Sequence, residues 1–549
     1  MNSDAASRTM RCCDVRLQSG AMSGQQTGEY SAAAPRWSQK LDIDSLYKGS
    51  SIAACLLAVV GAKFWLINAF GSETPFLDEW TSVAERIFKP FMDGALRISD
   101  LVDYSNEHRV FMTRIVALAL LQFNRYWDVV SEMKFNAFVH VAAIGVFLVV
   151  VRNAVGKEAF LILCAFVALL FAIPFGWENI LIGFQSQFYF LLLFSVASLW
   201  FLHGSTAWRP AWWLAILCAI ACHFSMASGV ITVAAGMGIV LAQMLAGRRR
   251  GLGEFLALAA QAALFVGMAM DIPVLPGHAP LKAHSFTQFA TAFFSAAGWP
   301  LSLPPILASV INYAPVSFIA ILTLRERPPK DDYRWFVVGM GGWVILQFVS
   351  LAYGRAVGTL ASRYLDIMVF GVAVNFLCLV IVLNTVKLRG ISFGAAAAIW
   401  LFAVCAGAGA KAISYLPVQI ADWNRHTTAA TINLSDYLAT GDLKYLKGGP
   451  LYDIPFPSAE VLAAIVSAPE IRAILPPSLL KEAHGAGAAD TAWSRRLAVA
   501  VTLGLRALGI RSGETLLPLG VVLFFIMGVN LSASAVRTAD AAARPPLET

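Results

Sequence analysis

The chain has 549 residues, of which 58% are hydrophobic and only 14% are charged. About a quarter of the residues in a soluble domain are charged, so this composition excludes an ordinary globular protein and indicates a polytopic membrane protein. The net charge of +7 gives no reason to expect a nucleic-acid partner, because much of it lies in short basic runs that the positive-inside rule assigns to the cytoplasmic side.

The first 50 residues are polar and rich in Ser, Ala, Gly and Gln, which predicts a disordered cytoplasmic tail rather than a signal peptide. Long continuous apolar runs follow, and they predict spanning helices rather than barrel strands. The runs lie at 51–70, 134–151, 159–175, 187–203, 211–226, 229–246, 254–270, 303–324, 333–352, 364–386, 391–414 and 515–534. We therefore expect an all-α polytopic membrane protein with about 11–13 transmembrane helices.

A shorter apolar run at 111–125 contains Arg114. If this run spanned the membrane, the basic cluster Arg248 to Arg250 would lie outside, against the positive-inside rule. Two interpretations stay open: either 111–125 does not cross, or a later span is misassigned. The aromatic stretch 286–301 is broken by Trp299-Pro300, which predicts an interfacial or re-entrant segment.

The basic tail directs the first span outward, so the polar loop 71–110 is expected on the extracytoplasmic face. It opens the predicted transmembrane domain, 51–414. Residues 415–494 are richer in polar residues and prolines, and predict a small extracytoplasmic module. Residues 495–534 predict an amphipathic surface helix followed by a last transmembrane helix, and 535–549 form a tail.

Two acids stand at the start of the outer loop, in Asp78-Glu79-Trp80. A carboxylate at the outer membrane surface can act as a general base towards an acceptor hydroxyl, and it can also bind a metal. The alternative is a helix over 79–97 whose first turn attracts acids. Neighbouring acids point in different directions on a helix. We therefore expect only one of them to face a site, and we favour Asp78.

Two further polar groups lie at the ends of predicted helices. They are Asn106, Glu107, His108 and Arg109 at the end of the outer loop, and Trp177, Glu178, Asn179, Gln185 and Gln187 between two apolar helices. Polar side chains gathered at the mouth of an apolar run indicate a binding site. The alternative for both groups is that they anchor or solvate a helix end at the interface.

Arg355, Arg363 and Tyr364 come just before or at the start of the span at 364–386. Arginine offers a planar fork of donors that suits a phosphate. Positive charge on the predicted outer side also runs against the usual bias. We therefore expect these residues to bind substrate, with interfacial anchoring as the alternative.

The order of these parts resembles the GT-C superfamily of polytopic glycosyltransferases, which use polyprenyl-phosphate-linked sugars. The resemblance covers roughly residues 50–390: a first span, an outer loop that opens with an acid pair, a short amphipathic stretch and further spans. The stretch 123–127 and the span that follows it look like the region between the second and third helices of that superfamily. Arg363-Tyr364 is similar to the Arg-Tyr of its protein-mannosyltransferase and aminoarabinose-transferase branches. Those branches carry prolines after the acid pair and after Arg-Tyr that this chain lacks.

The resemblance implies an enzyme of the bacterial inner membrane that moves a sugar from a polyprenyl-phosphate donor to an envelope glycan, lipid or protein acceptor, with inversion. Asp78, with Glu79 beside it, would be catalytic and would deprotonate the acceptor hydroxyl. Arg363, together with Arg355, would hold the leaving phosphate. The module at 415–494 would lie over the site and influence acceptor choice. The implied partners are the donor, the acceptor and membrane lipids, and a requirement for a divalent metal stays open.

Two other classes of protein fit the composition. A transporter or flippase of lipid-linked sugars would need polar residues near the middle of the membrane. The candidates, Arg114, His140, Gln261, Gln347 and Asn375, are scattered, and no internal repeat accompanies them. A non-catalytic assembly subunit is the third class, and it would leave the acid pair and the outer arginines without a role.

Overall fold

The computed structural model describes residues 43–385, 391–450, 452–480 and 512–532. This part of the chain confirms the predicted all-α polytopic fold, since ten of its helices are long and apolar enough to cross a membrane. Two further apolar helices, Phe111–Asn124 and Pro210–His223, are shorter. The predicted terminal tails and amphipathic helix lie outside the described residues, except that 43–50 begin the first helix.

The helices are numbered in chain order. They are α1 Ile43–Phe70, α2 Lys89–Met92, α3 Ile98–Val102, α4 Phe111–Asn124, α5 Val129–Val151, α6 Lys157–Ala172, α7 Trp177–Leu181, α8 Ser186–Gly204, α9 Pro210–His223, α10 Val230–Leu245, α11 Leu252–Met270, α12 Phe286–Gly298, α13 Pro305–Glu326, α14 Tyr333–Gly354, α15 Ser362–Thr385, α16 Ile391–Ser414, α17 Leu416–Thr440, α18 Ala459–Ser467, α19 Pro469–Arg472 and α20 Ser512–Ser532. A π-helix, Glu79–Phe88, precedes α2, and short 3-10 turns lie at Gly183–Gln185, Ala227–Gly229, Pro276–Leu281, Leu443–Leu446 and Pro477–Leu479.

Polar side chains begin several of these helices. Asp128 accepts a hydrogen bond from the Ser131 N–H (3.1 Å) at the start of α5. Asp332 accepts one from the Arg334 N–H (2.9 Å) at the start of α14. Such caps satisfy backbone donors that a helix leaves unpaired in its first turn, so they fix where these two spans begin.

The outer loop after α1 is only partly helical. The helical stretch predicted over 79–97 ends at Met92, because Gly94 follows with a left-handed φ of +69° that a helix does not continue through. The loop then closes with a two-residue antiparallel hairpin, β1 Tyr104–Ser105 and β2 His108–Arg109. This hairpin brings the second polar group of the loop back beside the first.

The spans differ in how much protein surrounds them. In α15, 89% of the apolar stretch is buried, against 22% in α11 and 11% in α20. Lipid tails are as apolar as leucine side chains, so exposed apolar faces are expected at the perimeter of a membrane bundle. α15 is therefore a central helix, and α11 and α20 have perimeter faces.

The basic clusters meet at one end of the bundle. Arg248 donates from Nε to the Arg327 carbonyl (2.6 Å), and Gln243 donates to the Lys330 carbonyl (2.9 Å). Arg249 forms a buried ion pair with Glu254 in the same region. The two clusters that the positive-inside rule assigns to the cytoplasm therefore lie on the same side of the bundle.

Helix α4 begins and ends at the opposite end. Its first N–H, from Phe111, donates to Phe224 (3.0 Å), and the N–H of Trp127 just after α4 donates to Ile474 (2.7 Å). The Trp127 ring packs on Trp80 of the outer loop. Fourteen residues reach only about 21 Å, less than the ~30 Å hydrocarbon core. The geometry thus favours the interpretation in which 111–125 does not cross.

Candidate functional site

A cavity of about 570 Å³ opens at the end of the bundle that carries the outer loop. Its walls come from six regions: the start of the outer loop at Asp78, the hairpin loop, the turn after α7, the turn after α9, the segment between α11 and α12, and the facing ends of α14 and α15. Charged and amide side chains form one part of the lining, and apolar side chains form the other. A volume of this size is typical of small-molecule sites.

The structure brings nine of the fifteen residues singled out in the sequence as site candidates to this cavity. Those that line it are Asp78, Asn106, Glu107, His108, Gln185, Gln187, Arg355, Arg363 and Tyr364. Those that do not are Glu79, Trp80, Arg109, Trp177, Glu178 and Asn179. Residues as far apart in sequence as 78 and 364 therefore share one site.

Asp78 lies at the cavity and does not cap a helix. It precedes the π-helix without a side-chain capping bond, and its Oδ2 accepts from the Asn106 amide (3.2 Å). The backbone before it is held in a left-handed conformation, Leu77 φ +51°, by a hydrogen bond from the Leu77 N–H to Pro455 (2.7 Å). Burial raises the pKa of Asp78, and the Asn106 bond and the charge of Arg363 oppose it only in part.

Glu79 points away from the cavity into the protein. Its side chain is 1% exposed and accepts hydrogen bonds from the N–H groups of Phe76 and Phe184. Burial raises the pKa of Glu79. The carboxyl groups of Glu79 and Glu132 both lie against Gly183. The predicted catalytic role of Glu79 therefore has no support in its position, which instead ties the outer loop to the turn after α7.

Glu107 is paired with two basic side chains. His278 Nδ1 lies 2.6 Å from its Oε1, and Arg355 Nη2 lies 2.8 and 3.0 Å from its two oxygens. Burial alone would raise the pKa of Glu107, but the hydrogen bonds from His278 and Arg355 outweigh it and lower the pKa to about 2. Glu107 is thus ionised, and Arg355 is already engaged by an internal carboxylate.

His108 lines the cavity as a neutral imidazole. Burial lowers its pKa to about 4, and its Nδ1 accepts from the Ala227 N–H (3.3 Å). An imidazole that accepts at Nδ1 carries its proton on Nε2. His108 can therefore donate a hydrogen bond at neutral pH but adds no charge to the site.

Neighbouring side chains hold the backbone of Arg363, and its guanidinium interacts with Tyr364. Glu178 accepts hydrogen bonds from Ser362 Oγ (2.8 Å) and the Arg363 N–H (3.0 Å), and Asn179 donates to the Arg363 carbonyl (2.8 Å). The guanidinium lies 5.6 Å from the Tyr364 ring centroid and makes no ion pair with any described residue. Glu178 and Asn179, predicted to bind substrate, position Arg363 instead.

Trp80 and Arg109 were also predicted to bind substrate, and they hold the fold instead. Trp80 is fully buried, donates from its indole to the Pro75 carbonyl (3.0 Å) and packs on an aromatic ring. Arg109 makes two 2.7 Å contacts with Asp271 and donates to Tyr104 Oη (2.7 Å). These contacts fasten the hairpin to the end of α11.

Three further cavity residues were not predicted to belong to the site. His278 and Lys282 belong to the segment between α11 and α12, and Gln347 lies within α14, where its sequence position suggested only a polar residue near the middle of the membrane. A basic pair on a loop that the topology assigns to the outside was an available signal, whereas an isolated glutamine in an apolar run gives none. Among the described residues, no group of three or more His, Cys, Asp or Glu side chains is arranged to hold a metal.

The fold and this site define a multi-pass helical membrane protein with a partly charged cavity at one end. Comparison with known proteins gives no family model, no curated protein and no solved structure that matches the chain. Any activity must therefore be argued from the cavity itself.

Proposed function

We propose that the protein is a membrane glycosyltransferase. It moves a sugar from a polyprenyl-phosphate donor to a glycan, lipid or protein acceptor on the extracytoplasmic face, with inversion. The observation that carries this proposal is that Asp78, a carboxyl with a raised pKa, and Arg363, a cation without an ion pair among the described residues, line the same cavity. This combination suits a reaction that needs a base and a phosphate leaving group.

In the proposed reaction, the ionised Asp78 takes the proton of an acceptor hydroxyl. The acceptor oxygen attacks the anomeric carbon on the face opposite the phosphate, so a new C–O bond forms as the bond to the phosphate oxygen breaks. The electron pair of that bond goes to the phosphate, whose charge Arg363 stabilises. A carboxylate with a raised pKa is a stronger base than an ordinary aspartate, which supports Asp78 in this step.

The cations of the cavity suggest how the phosphate is held. Arg355, one of the two arginines expected to hold it, is committed to Glu107. Lys282 also lines the cavity and has no ion pair within the described part of the chain. We therefore assign the phosphate to Arg363, with Lys282 as its second cation. The apolar part of the lining, which includes Phe348 and Leu351, would receive the first prenyl units.

A transporter of lipid-linked sugars is the second candidate. Lys63 in α1 and Asp366 in α15 are both buried, and the ammonium of Lys63 lies 5.5 Å from the centroid of the Tyr189 ring. Ionisable residues buried within spans are typical of transport pathways. Neither residue lines the cavity, which is why we rank the enzyme first.

Arg363→Gln tests the donor site. Losing a charge-assisted hydrogen bond costs about 1.5–3 kcal/mol, so the variant should bind a radiolabelled polyprenyl-phosphate sugar about 10- to 100-fold more weakly in nanodiscs. Arg425→Gln is the matched control, since Arg425 is exposed and pairs with the exposed Asp422. Wild-type donor affinity in Arg363→Gln would show that the phosphate binds elsewhere.

A further inference from the structure

Three glutamine side chains line the cavity and are almost fully buried. Gln185, Gln187 and Gln347 are 7%, 5% and 3% exposed. Gln187 donates from Nε2 to Oε1 of Gln185 (3.2 Å), and Gln347 donates to the Ser228 carbonyl (3.2 Å). The Oε1 atom of Gln187 has no hydrogen-bond partner among the described residues.

A buried amide oxygen without a partner is unfavourable. An amide side chain has two donor hydrogens and two acceptor lone pairs, and buried polar groups are almost always hydrogen-bonded in folded proteins. Two residues of the cavity wall, Gln187 and Arg363, each carry a buried polar atom without a partner among the described residues, which indicates a partner that the protein itself does not provide. Gln187 therefore points to a ligand with hydrogen-bond donors.

The turn that carries two of these amides is fixed from several sides. The Phe184 N–H donates to Glu79 (2.9 Å), and the Gly183 carbonyl accepts from Asn136 (2.7 Å). At the start of α8, Ser186 shares a hydrogen bond with Thr113 (2.7 Å). Side chains on so constrained a turn need little reordering to bind, which favours recognition over flexible packing. Glu79 directly follows Asp78, so the amides also lie close to the proposed base.

The charges of the cavity leave these amides in a neutral environment. Glu107 is paired with Arg355 and His278, and the proposed function commits Arg363 and Lys282 to the phosphate. A carboxylate on the sugar would therefore meet Asp78 without an uncommitted cation beside it. Amides offer paired donors and acceptors, which match neighbouring hydroxyl groups that are themselves donors and acceptors.

We infer that Gln185, Gln187 and Gln347 form the subsite for the sugar ring of the donor, and that this sugar is an uncharged hexose. The inference rests on the proposed function, because it assumes a sugar carried by a lipid phosphate. It assigns sugar selection to residues other than the phosphate-binding cation, so the two contributions separate experimentally.

The test compares soluble donor analogues by direct binding to the purified protein in detergent. The probes are citronellyl phosphate alone and citronellyl phosphate carrying glucose, galactose, mannose or glucuronate. Wild type should bind at least one neutral hexose conjugate about tenfold more tightly than the sugar-free lipid, as expected when a buried polar group gains its missing partner. The glucuronate conjugate should bind no more tightly than the sugar-free lipid.

Gln187→Leu and Gln347→Leu should each remove the tenfold gain from the sugar and keep the affinity for citronellyl phosphate alone. That retained affinity also shows that each variant is folded. Gln419→Leu is the control, because Gln419 is exposed and contacts Trp177 away from the cavity.

Three results overturn the inference. They are no gain with any neutral hexose, an equal gain with glucuronate, and a gain that survives in both variants. In each of these three cases the proposed function still holds, provided that wild type binds citronellyl phosphate. If wild type binds none of the lipid phosphates, the proposed donor binding is refuted, and the sugar subsite that depends on it is refuted as well.

Discussion

The carboxyl groups near the cavity have opposite pKa shifts because their neighbours differ. Asp78 has one amide donor, and burial raises its pKa. Glu107 has a histidine and an arginine as partners, and their hydrogen bonds lower its pKa to about 2. Asp78 is thus the weaker acid and the stronger base, and Glu107 beside it is a permanently ionised carboxylate.

The Asp78 pKa predicts the acidic limb of the rate profile. Only the ionised carboxylate accepts a proton, so transfer should fall as the pH drops through the pKa of Asp78. Because burial raises that pKa, the limb should lie above the usual 3.8 of an aspartate. Initial rates of sugar release across the acidic and neutral range measure it. A limb centred at or below 3.8 would contradict the assignment of the base.

Glu107 and Arg355 should behave as a coupled pair. Arg355→Gln leaves a partly buried carboxylate with only His278, and Glu107→Gln leaves a cation without its partner, so each single change should lower the thermal unfolding temperature. When both charges are removed, no unpaired charge is left in the partly buried site. The double variant should therefore lose less stability than the sum of the singles, by about 1–3 kcal/mol. Strict additivity in a thermal unfolding assay in detergent would show that the pair is not coupled.

At the scale of elements, residues 176–187, which comprise α7 and the turns on either side of it, connect the outer loop, α5 and α15. A Cβ at Gly176 would clash with the Asp366 carboxylate, and a Cβ at Gly183 would lie 2.7 and 2.8 Å from carboxylate oxygens of Glu132 and Glu79. At both positions a side chain would have to displace buried carboxyl groups, and neither glycine has a left-handed φ. The segment holds Arg363 at one end and the amides at the other.

Gly183→Ala should destabilise this turn. The added methyl group has to displace two buried carboxyl groups, and overpacking of this kind costs about 1–3 kcal/mol. Thermal unfolding in detergent measures the loss. Gly267→Ala in α11 is the matched control, because a Cβ there meets nothing within 4 Å, and it should leave stability unchanged or slightly higher. Equal unfolding temperatures for the two variants would refute the close approach.

Sequence patterns predicted single elements better than the contacts between them. Apolar runs marked the spans, and charge on the outer side drew attention to Asp78 and Arg363. The partner of Glu107, His278, lies 171 residues away, and only the packing of α11 and α14 around the hairpin brings them together. Gln187 belonged to a polar stretch between two apolar helices, whereas Gln347 looked like an isolated polar residue in an apolar run, since no local pattern shows which helix face lines a cavity.

At the scale of the whole molecule, the two ends of the bundle differ in charge and shape. One end holds the arginine-rich connections around Gln243, and the other holds the cavity. The described residues 416–480 pack on the outer loop, where Trp423 contacts Phe76 (4.8 Å between ring centroids), and none of them lines the cavity. The influence of this segment on acceptor choice stays a prediction.

The extracytoplasmic location of the cavity also stays a prediction, because it depends on the positive-inside rule. The contacts add that the basic clusters lie at the opposite end from the cavity. The contacts of α4 also indicate that both of its ends lie at the cavity end of the bundle. The number of predicted spans alone did not fix the orientation, because the sequence pattern of the 14-residue apolar helix α4 also fits a short membrane span.

The measurement that tests the central claim most directly is sugar release in proteoliposomes from a panel of radiolabelled polyprenyl-phosphate sugars, with Asp78→Asn beside wild type and the exposed Asp422→Asn as the control. We predict that label leaves the lipid phosphate in wild type and in the control. In Asp78→Asn the rate should fall by about 100- to 10,000-fold, the usual contribution of a positioned base, while donor binding persists. Wild-type turnover in Asp78→Asn, or an intact donor that only changes leaflet, would contradict the account.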